Sequence, residues 1–262
     1  MHLFDKDLKL STTGAMTFST EISDNWSIHG IPNGGYLSAL LAKAMLRHSG
    51  KNATPTVTVH FLSPSTPGKA DIIVEKIAIS KNFDRLQVSL YQGQKEKVRA
   101  IGTFADPSNN NPFTRYETPS PVLVDIDKCL AVPPMEQVTL FNQMDVRLDP
   151  ACTGWMVGNF SDKSEHKGWI SFKQKRPIDI PAVFLMADAF PPPVFASQGV
   201  AGWVPTIEFS VSLRHLPAGD LLKGIFRTRF ITCGLLEEDG QLWDTSGELV
   251  AVSRQIAQFR NQ

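Results

Sequence analysis

Pro55-Thr56-Val57-Thr58-Val59 returns 150 residues later as Pro205-Thr206-Ile207-Glu208-Phe209. Each copy opens on proline and runs into β-branched and apolar residues, the composition of a strand. Pro67 and Pro217 close the two strand-loop units at the same offset. Ahead of the first copy, Tyr36 to His48 is apolar nearly all round, with Leu37, Ala39, Leu40, Leu41, Ala44, Met45 and Leu46. That pattern predicts a helix buried on every side. Asn33 is placed to cap it, Gly34 and Gly35 let the backbone approach a neighbour closely, and Gly50 ends it.

Residues 56–62, 70–80, 85–92 and 97–104 then read as strands, and 15–22 as a shorter one before the helix. A buried helix followed by consecutive antiparallel strands implies a sheet wrapped around a helix. The second half repeats the plan. Residues 141–148 and 168–172 are strand-like, with 161–167 a charged loop between them. Phe184 to Phe195 supplies the helix, and 206–213, 222–232, 241–244 and 248–259 the later strands. Residues 106–121, rich in Pro, Asn and Ser, read as connecting chain. The expected organisation is an α+β protein of two fused units, 1–106 and 136–262, with a linker over 107–135. Such a repeat is what fusion of an ancestral homodimer would leave.

Composition narrows the function classes. The chain has 262 residues, 42% of them apolar, and its 26 Lys and Arg equal its 26 Asp and Glu. No basic field suits a nucleic acid. Cys129, Cys152 and Cys233 are odd in number and widely spaced, which argues against a disulfide framework or zinc site; all three are expected as small core residues in a reducing compartment. A charged start without a signal-peptide core, and no apolar run of membrane-spanning length, point to a cytoplasmic protein with no membrane partner.

The halves differ at two places that bear on chemistry. Phe184-Leu-Met-Ala-Asp188-Ala-Phe-Pro-Pro-Pro-Val-Phe195 carries one carboxylate in an apolar stretch, costly to bury unless satisfied. On the 150 offset Asp188 falls opposite Ser38, and aligning Glu248 with Glu96 sets Gln255 opposite Thr103. The second half thus adds an acid on its helix and an amide on its last strand, with Thr206 on a strand between. Glu208, two residues after Thr206, is a rival acid. Pro191, Pro192 and Pro193 are expected to stop the helix.

Taken together, Asn33-Gly-Gly-Tyr36, Thr58-Val-His-Phe-Leu-Ser-Pro64, Ala187-Asp-Ala-Phe190 before prolines, Pro205-Thr-Ile-Glu-Phe-Ser210 and Gly247-Glu-Leu-Val-Ala-Val-Ser-Arg-Gln-Ile256 resemble the acyl-CoA thioesterase II family. The resemblance implies a double hotdog fold, acyl-CoA as substrate, no metal or redox cofactor, and further self-association as a homodimer or tetramer. It also implies a catalytic set of Asp188, Thr206 and Gln255. No Gly-x-Ser-x-Gly elbow and no cysteine motif offers a nucleophile, so water is the attacker. Asp188 would act as base, with Thr206 and Gln255 holding the water. Lys81, Arg85 or Arg254 would meet the phosphates of coenzyme A.

Two other readings stand beside hydrolysis. One is an acyl-CoA- or acyl-carrier-binding protein on the same fold. The other is a hotdog hydratase or dehydratase, for which His29 and Asp24 would be the pair. His29 and His60 otherwise read as structural. Trp26, Trp155, Trp203, Phe190 and Phe195 read as core, some of them also lining an acyl pocket.

Overall fold

A computed structural model describes residues 1–51, 53–106, 113–200 and 204–259. The first half contains α1 (Leu3–Asp7), β1 (Ser11–Gly14), β2 (Thr17–Ile22), β3 (Ser27–Ile28), β4 (Ile31–Pro32) and α2 (Gly34–Leu46). It continues through β5 (Ala53–Phe61), β6 (Gly68–Ile79), β7 (Phe83–Gln92) and β8 (Lys95–Ala105). The second half contains β9 (Leu130–Ala131), α3 (Leu140–Gln143), β10 (Met144–Leu148), β11 (Ser164–Phe172), α4 (Ile180–Met186) and α5 (Phe195–Gln198). It ends with β12 (Thr206–Leu213), β13 (Leu221–Thr228), β14 (Ile231–Thr232), β15 (Leu235–Trp243) and β16 (Leu249–Gln258).

One antiparallel sheet of 14 strands runs through both halves in the order β1-β2-β6-β7-β8-β5-β12-β16-β15-β13-β11-β10-β9, with β14 beside β15. The two copies of the opening motif form its seam. β5 pairs with β12, and Val59 is in register with its own repeat-mate Phe209. Register pairing of equivalent residues is what a two-fold axis through the seam requires. Thr56 and Thr58 meet the hydroxyls of Ser212 and Ser210 across it. The fold is the double hotdog, with each helix cradled by its half of the sheet.

The helices follow from their sequences. α2 buries residues on every side, from Tyr36 to Met45. The Asn33 side chain caps it by accepting the Tyr36 N–H at 3.1 Å. α4 is capped by Asp179, whose carboxylate accepts the Ala182 N–H at 3.0 Å, with Pro181 in the first turn, where a missing N–H costs nothing. The two helices pack against each other at the centre of one core that spans both halves.

Several expectations are corrected. The second helix covers 180–186, so Asp188 lies in the turn beyond it and the three prolines do not end it. Matching the caps Asn33 and Asp179 sets Ser38 against Phe184 rather than against Asp188. Ala187 already leaves the helix, and Pro192 and Pro193 instead supply carbonyls to the N–H groups of Phe195 and Ala196 at the start of α5. The charged loop at 161–167 gives way to strand at Ser164, because β13 pairs with β11 along Ser164–Ser171. Residues 140–143 are a helical turn rather than strand. Strand β15 starts at Leu235, six residues before the expected Gln241. Cys129 and Cys152 are buried, whereas Cys233 is exposed at φ 52° in a turn. Among the described residues the sheet's terminal strands, β1 and β9, are short, four and two residues long. Trp203 and the first part of the linker, 107–112, lie outside the described residues.

Candidate active site

Between the start of α2, the turn that follows α4, the seam and the 132–141 segment lies a cavity of about 1380 Å³. Asp188, Thr206 and Gln255 all line it, as do Asn33, Gly34 and Glu238. Apolar walls come from Leu37, Phe61, Phe141, Trp155 and Phe190. Pro191 and Pro192 also line it, so the proline run shapes the cavity.

Asp188 is held by the opposite half. Its Oδ2 accepts the backbone N–H of Gly35 at 2.8 Å and the Asn33 side-chain amide at 3.0 Å; the same amide reaches the Asp188 carbonyl at 2.9 Å. Gly34 and Gly35 are required for this approach. A Cβ on Gly35 would sit 2.7 Å from the Phe184 carbonyl oxygen and 2.8 Å from Asp188 Cβ, and one on Gly34 would sit 3.0 Å from Asp188 Oδ2. Enclosure away from bulk water pushes the Asp188 carboxyl up to about 7, against the two hydrogen bonds that favour its charged form.

Thr206 and Gln255 touch directly: the hydroxyl donates to Gln255 Oε1 at 2.6 Å. A β-bulge makes this possible. Thr206 opposes Ala257 and Glu208 opposes Ile256, leaving Ile207 as the extra residue. Ala257 and Gln255 face inward, so Thr206 turns into the cavity while Glu208 turns out. Thr56, the repeat-mate of Thr206, is exposed on the outer face. Glu208 lies 3.6 Å from His60 outside the cavity, which removes it as a rival acid.

Glu238 was not foreseen. It lies on β15, 7% exposed and in register with Gln255 of β16, whose side-chain amide favours its charged form. Burial pushes its carboxyl up to about 8, helped by the charges of Asp188 and Asp239. Its signal was present in Leu236, Glu238, Gly240 and Leu242, an inward alternation hidden by the run Glu237-Glu238-Asp239. Glu237 is structural, accepting the N–H groups of Arg229 and Phe230 at the β13–β14 turn.

Among the basic candidates, Arg85 stacks 5.5 Å from the Phe83 ring, Arg254 faces Asp239 at 3.7 Å, and none of Lys81, Arg85 and Arg254 lines the cavity. His29 is at the cavity wall with Nδ1 2.7 Å from Gln137 Oε1. No group of His, Cys, Asp and Glu among the described residues is arranged to hold a metal. No helix among them is long and apolar enough to cross a membrane.

The comparisons agree with this architecture. Residues 22–105 match the model of the acyl-CoA thioesterase N-terminal domain, and 125–259 that of the acyl-CoA thioesterase C-terminal domain. The thioesterase-like protein TwmA of Talaromyces wortmannii is 29% identical over 94 residues, 35% of this chain and 27% of that protein. The chain therefore spans about a quarter of that relative's length. The structure of a proposed thioesterase II from Thermobifida fusca is 25% identical, with TM-score 0.91 over 100% of this chain and 98% of the other. The dehydratase domain of RzxB from Pseudomonas fluorescens shares the fold more distantly, with TM-score 0.59 and 10% identity over 94% of this chain and 95% of the other. With both domain models matched in order along nearly its whole length, the chain belongs to the acyl-CoA thioesterase family.

Proposed function

We propose that this protein hydrolyses acyl-CoA thioesters, with Asp188 as general base and Thr206 and Gln255 positioning the water. The observation that carries the reading is a carboxyl poised near neutral pH in an apolar-walled cavity that also holds a hydrogen-bonded hydroxyl–amide pair. A base works best when its pKa lies near the working pH. Asp188 Oδ2 is occupied by Gly35 and Asn33, which leaves Oδ1 for the proton of the water. The water oxygen attacks the thioester carbonyl carbon as Asp188 takes that proton. The tetrahedral intermediate then collapses, the carbon–sulfur bond breaks, and the thiolate of coenzyme A leaves and recovers the proton. Leu37, Phe61 and Phe190 would receive the acyl chain.

The test is a panel of acyl-CoA esters with thiol release detected, run on wild type and Asp188→Ala. Thiol release that disappears in the variant supports the reading. Tight binding without release would favour an acyl-CoA binder, and water addition to enoyl-CoA a hydratase. We further place the protein in a reducing, cytoplasmic setting, for which the three free thiols argue. Self-association would use the outer sheet face, where Ile73, Ile77 and Ile101 are exposed; size-exclusion chromatography with light scattering tests it.

A further inference from the structure

Glu238 is a buried acid in the cavity wall to which the hydrolytic step above gives no task. Its neighbours form a directed chain. Thr206 donates to Gln255 Oε1 at 2.6 Å, and the Gln255 side chain stands beside Glu238, where its amide favours the charged carboxylate. Oε1 is already taken by Thr206, so the group that meets Glu238 is the amide NH₂. β15 and β16 fix this geometry, because Glu238 and Gln255 are register partners whose side chains stand side by side on one face.

We infer that Glu238 is the positioning residue of the water site, setting which way round the Gln255 amide stands. This rests on the hydrolytic reading. An ionised carboxylate can only accept, so it demands the NH₂ end of Gln255. Oε1 then faces Thr206, and the Thr206 hydroxyl must spend its hydrogen on that oxygen. Its lone pairs are left to accept a hydrogen of the attacking water, while Asp188 accepts the other. The second hydrogen of the Gln255 NH₂ remains for the cavity.

Protonation of Glu238 loosens the arrangement. Its own O–H can then compete with Thr206 for Oε1, and the amide can turn over. A turned amide donates to Thr206, whose hydrogen would swing toward the water and oppose attack. The charged groups that bear on Glu238 are Asp188, in the turn after α4, and Asp239, on its own strand. Asp239 is in register with Arg227 from β13, which pairs with Glu165 at 2.6 Å, and it faces Arg229 and Arg254. From β16 the neighbour is the neutral Gln255.

The experiment measures kcat and KM for Glu238→Gln across pH, alone and on Gln255→Ala, using the acyl-CoA that wild type turns over fastest. An amide at position 238 can present either end to Gln255, so the orientation is no longer enforced. The expected loss in kcat is about tenfold at pH 9 and under about threefold at pH 6, with KM within about threefold. On Gln255→Ala the same change adds less than about threefold at either pH, because a residue acting through Gln255 has nothing left to orient. Glu238→Met, which puts an apolar chain of similar length into the wall, is measured alongside and shows the same pH-dependent deficit even if the amide variant folds poorly. Wild-type kcat in both Glu238 variants at pH 9, a deficit that does not change with pH, or an equal deficit on Gln255→Ala each overturns the inference. Wild-type turnover in Asp188→Ala and Gln255→Ala would instead overturn the hydrolytic reading itself.

Discussion

The backbone N–H of Gly35 donates to Asp188 Oδ2 at 2.8 Å, joining the first turn of one half's helix to the turn that follows the other's. The candidate base therefore sits in the second half but is oriented by the first, and neither half alone holds a complete site. Gly35→Ala tests this joint. The added methyl would stand 2.7 Å from the Phe184 carbonyl oxygen, a backbone atom that cannot swing aside. We expect a stability loss of about 1–3 kcal/mol, with a fall in kcat, read from denaturant midpoints and initial rates. Gly34→Ala meets mainly the far end of the Phe61 ring and should be milder.

Asp188→Asn keeps an oxygen for Gly35 and removes the base. Loss of a general base costs about 10²–10⁴-fold in rate, so thiol release should drop by that much while the melting temperature holds or rises. In wild type, kcat/KM should climb as pH rises through about 7, where the Asp188 carboxyl ionises. A rate that is flat from pH 5 to 9 in wild type would remove Asp188 from this role.

The repeat was legible because it rests on strong local signals: proline at the head of each seam strand, alternating β-branched residues, and a helix apolar on all sides. Asp188, Thr206 and Gln255 were singled out as candidates by the differences between the halves and by the family resemblance, and what the sequence hid was how they are oriented. Nothing in Pro205-Thr-Ile-Glu-Phe209 announces a bulge at Ile207, yet that extra residue turns Thr206 inward and Glu208 outward. Asn33 read as a helix cap, which it is, but its second task of holding Asp188 spans 155 residues and has no local signature. Glu238 was lost because three acids in a row resemble a solvated turn, while pairing with β16 overrides that preference.

Two enclosed acids make stability depend on pH. Both carboxyls are raised in the folded state, to about 7 for Asp188 and about 8 for Glu238. In the unfolded chain they ionise near pH 4. Between those values the folded state holds more protons, so stability falls as pH rises from about 4 to about 8. Melting temperatures measured over that range should decline in wild type and decline less in Asp188→Asn and in Glu238→Gln. An unchanged slope in both variants would contradict the burial described for these groups.

Thr206 contributes a hydroxyl and not bulk. Thr206→Ser keeps the donor to Gln255 Oε1 and should retain most activity. Thr206→Val keeps the shape, leaves Oε1 without its hydrogen bond, and removes the acceptor for water. A loss of about 10–100-fold in kcat is expected for valine, with KM little changed. Equal kcat for serine and valine would show that the hydroxyl has no part in the reaction.

Asn33→Asp separates the two tasks of Asn33. Aspartate caps a helix as well as asparagine does, so the bond to the Tyr36 N–H survives and α2 should keep its start. The donor to Asp188 is lost, and a second carboxyl stands where the amide lay 3.0 Å from Asp188 Oδ2. Like charges that close cannot both ionise easily, so one proton is retained to higher pH. The rise of kcat/KM with pH should therefore move to alkaline values in this variant, recovering toward wild-type rates at the top of the range. Asn33→Ala, by contrast, loses cap and anchor together and should lower stability by about 1 kcal/mol without the same alkaline displacement. A pH profile for Asn33→Asp that superimposes on wild type would mean that Asn33 does not govern the ionisation of Asp188.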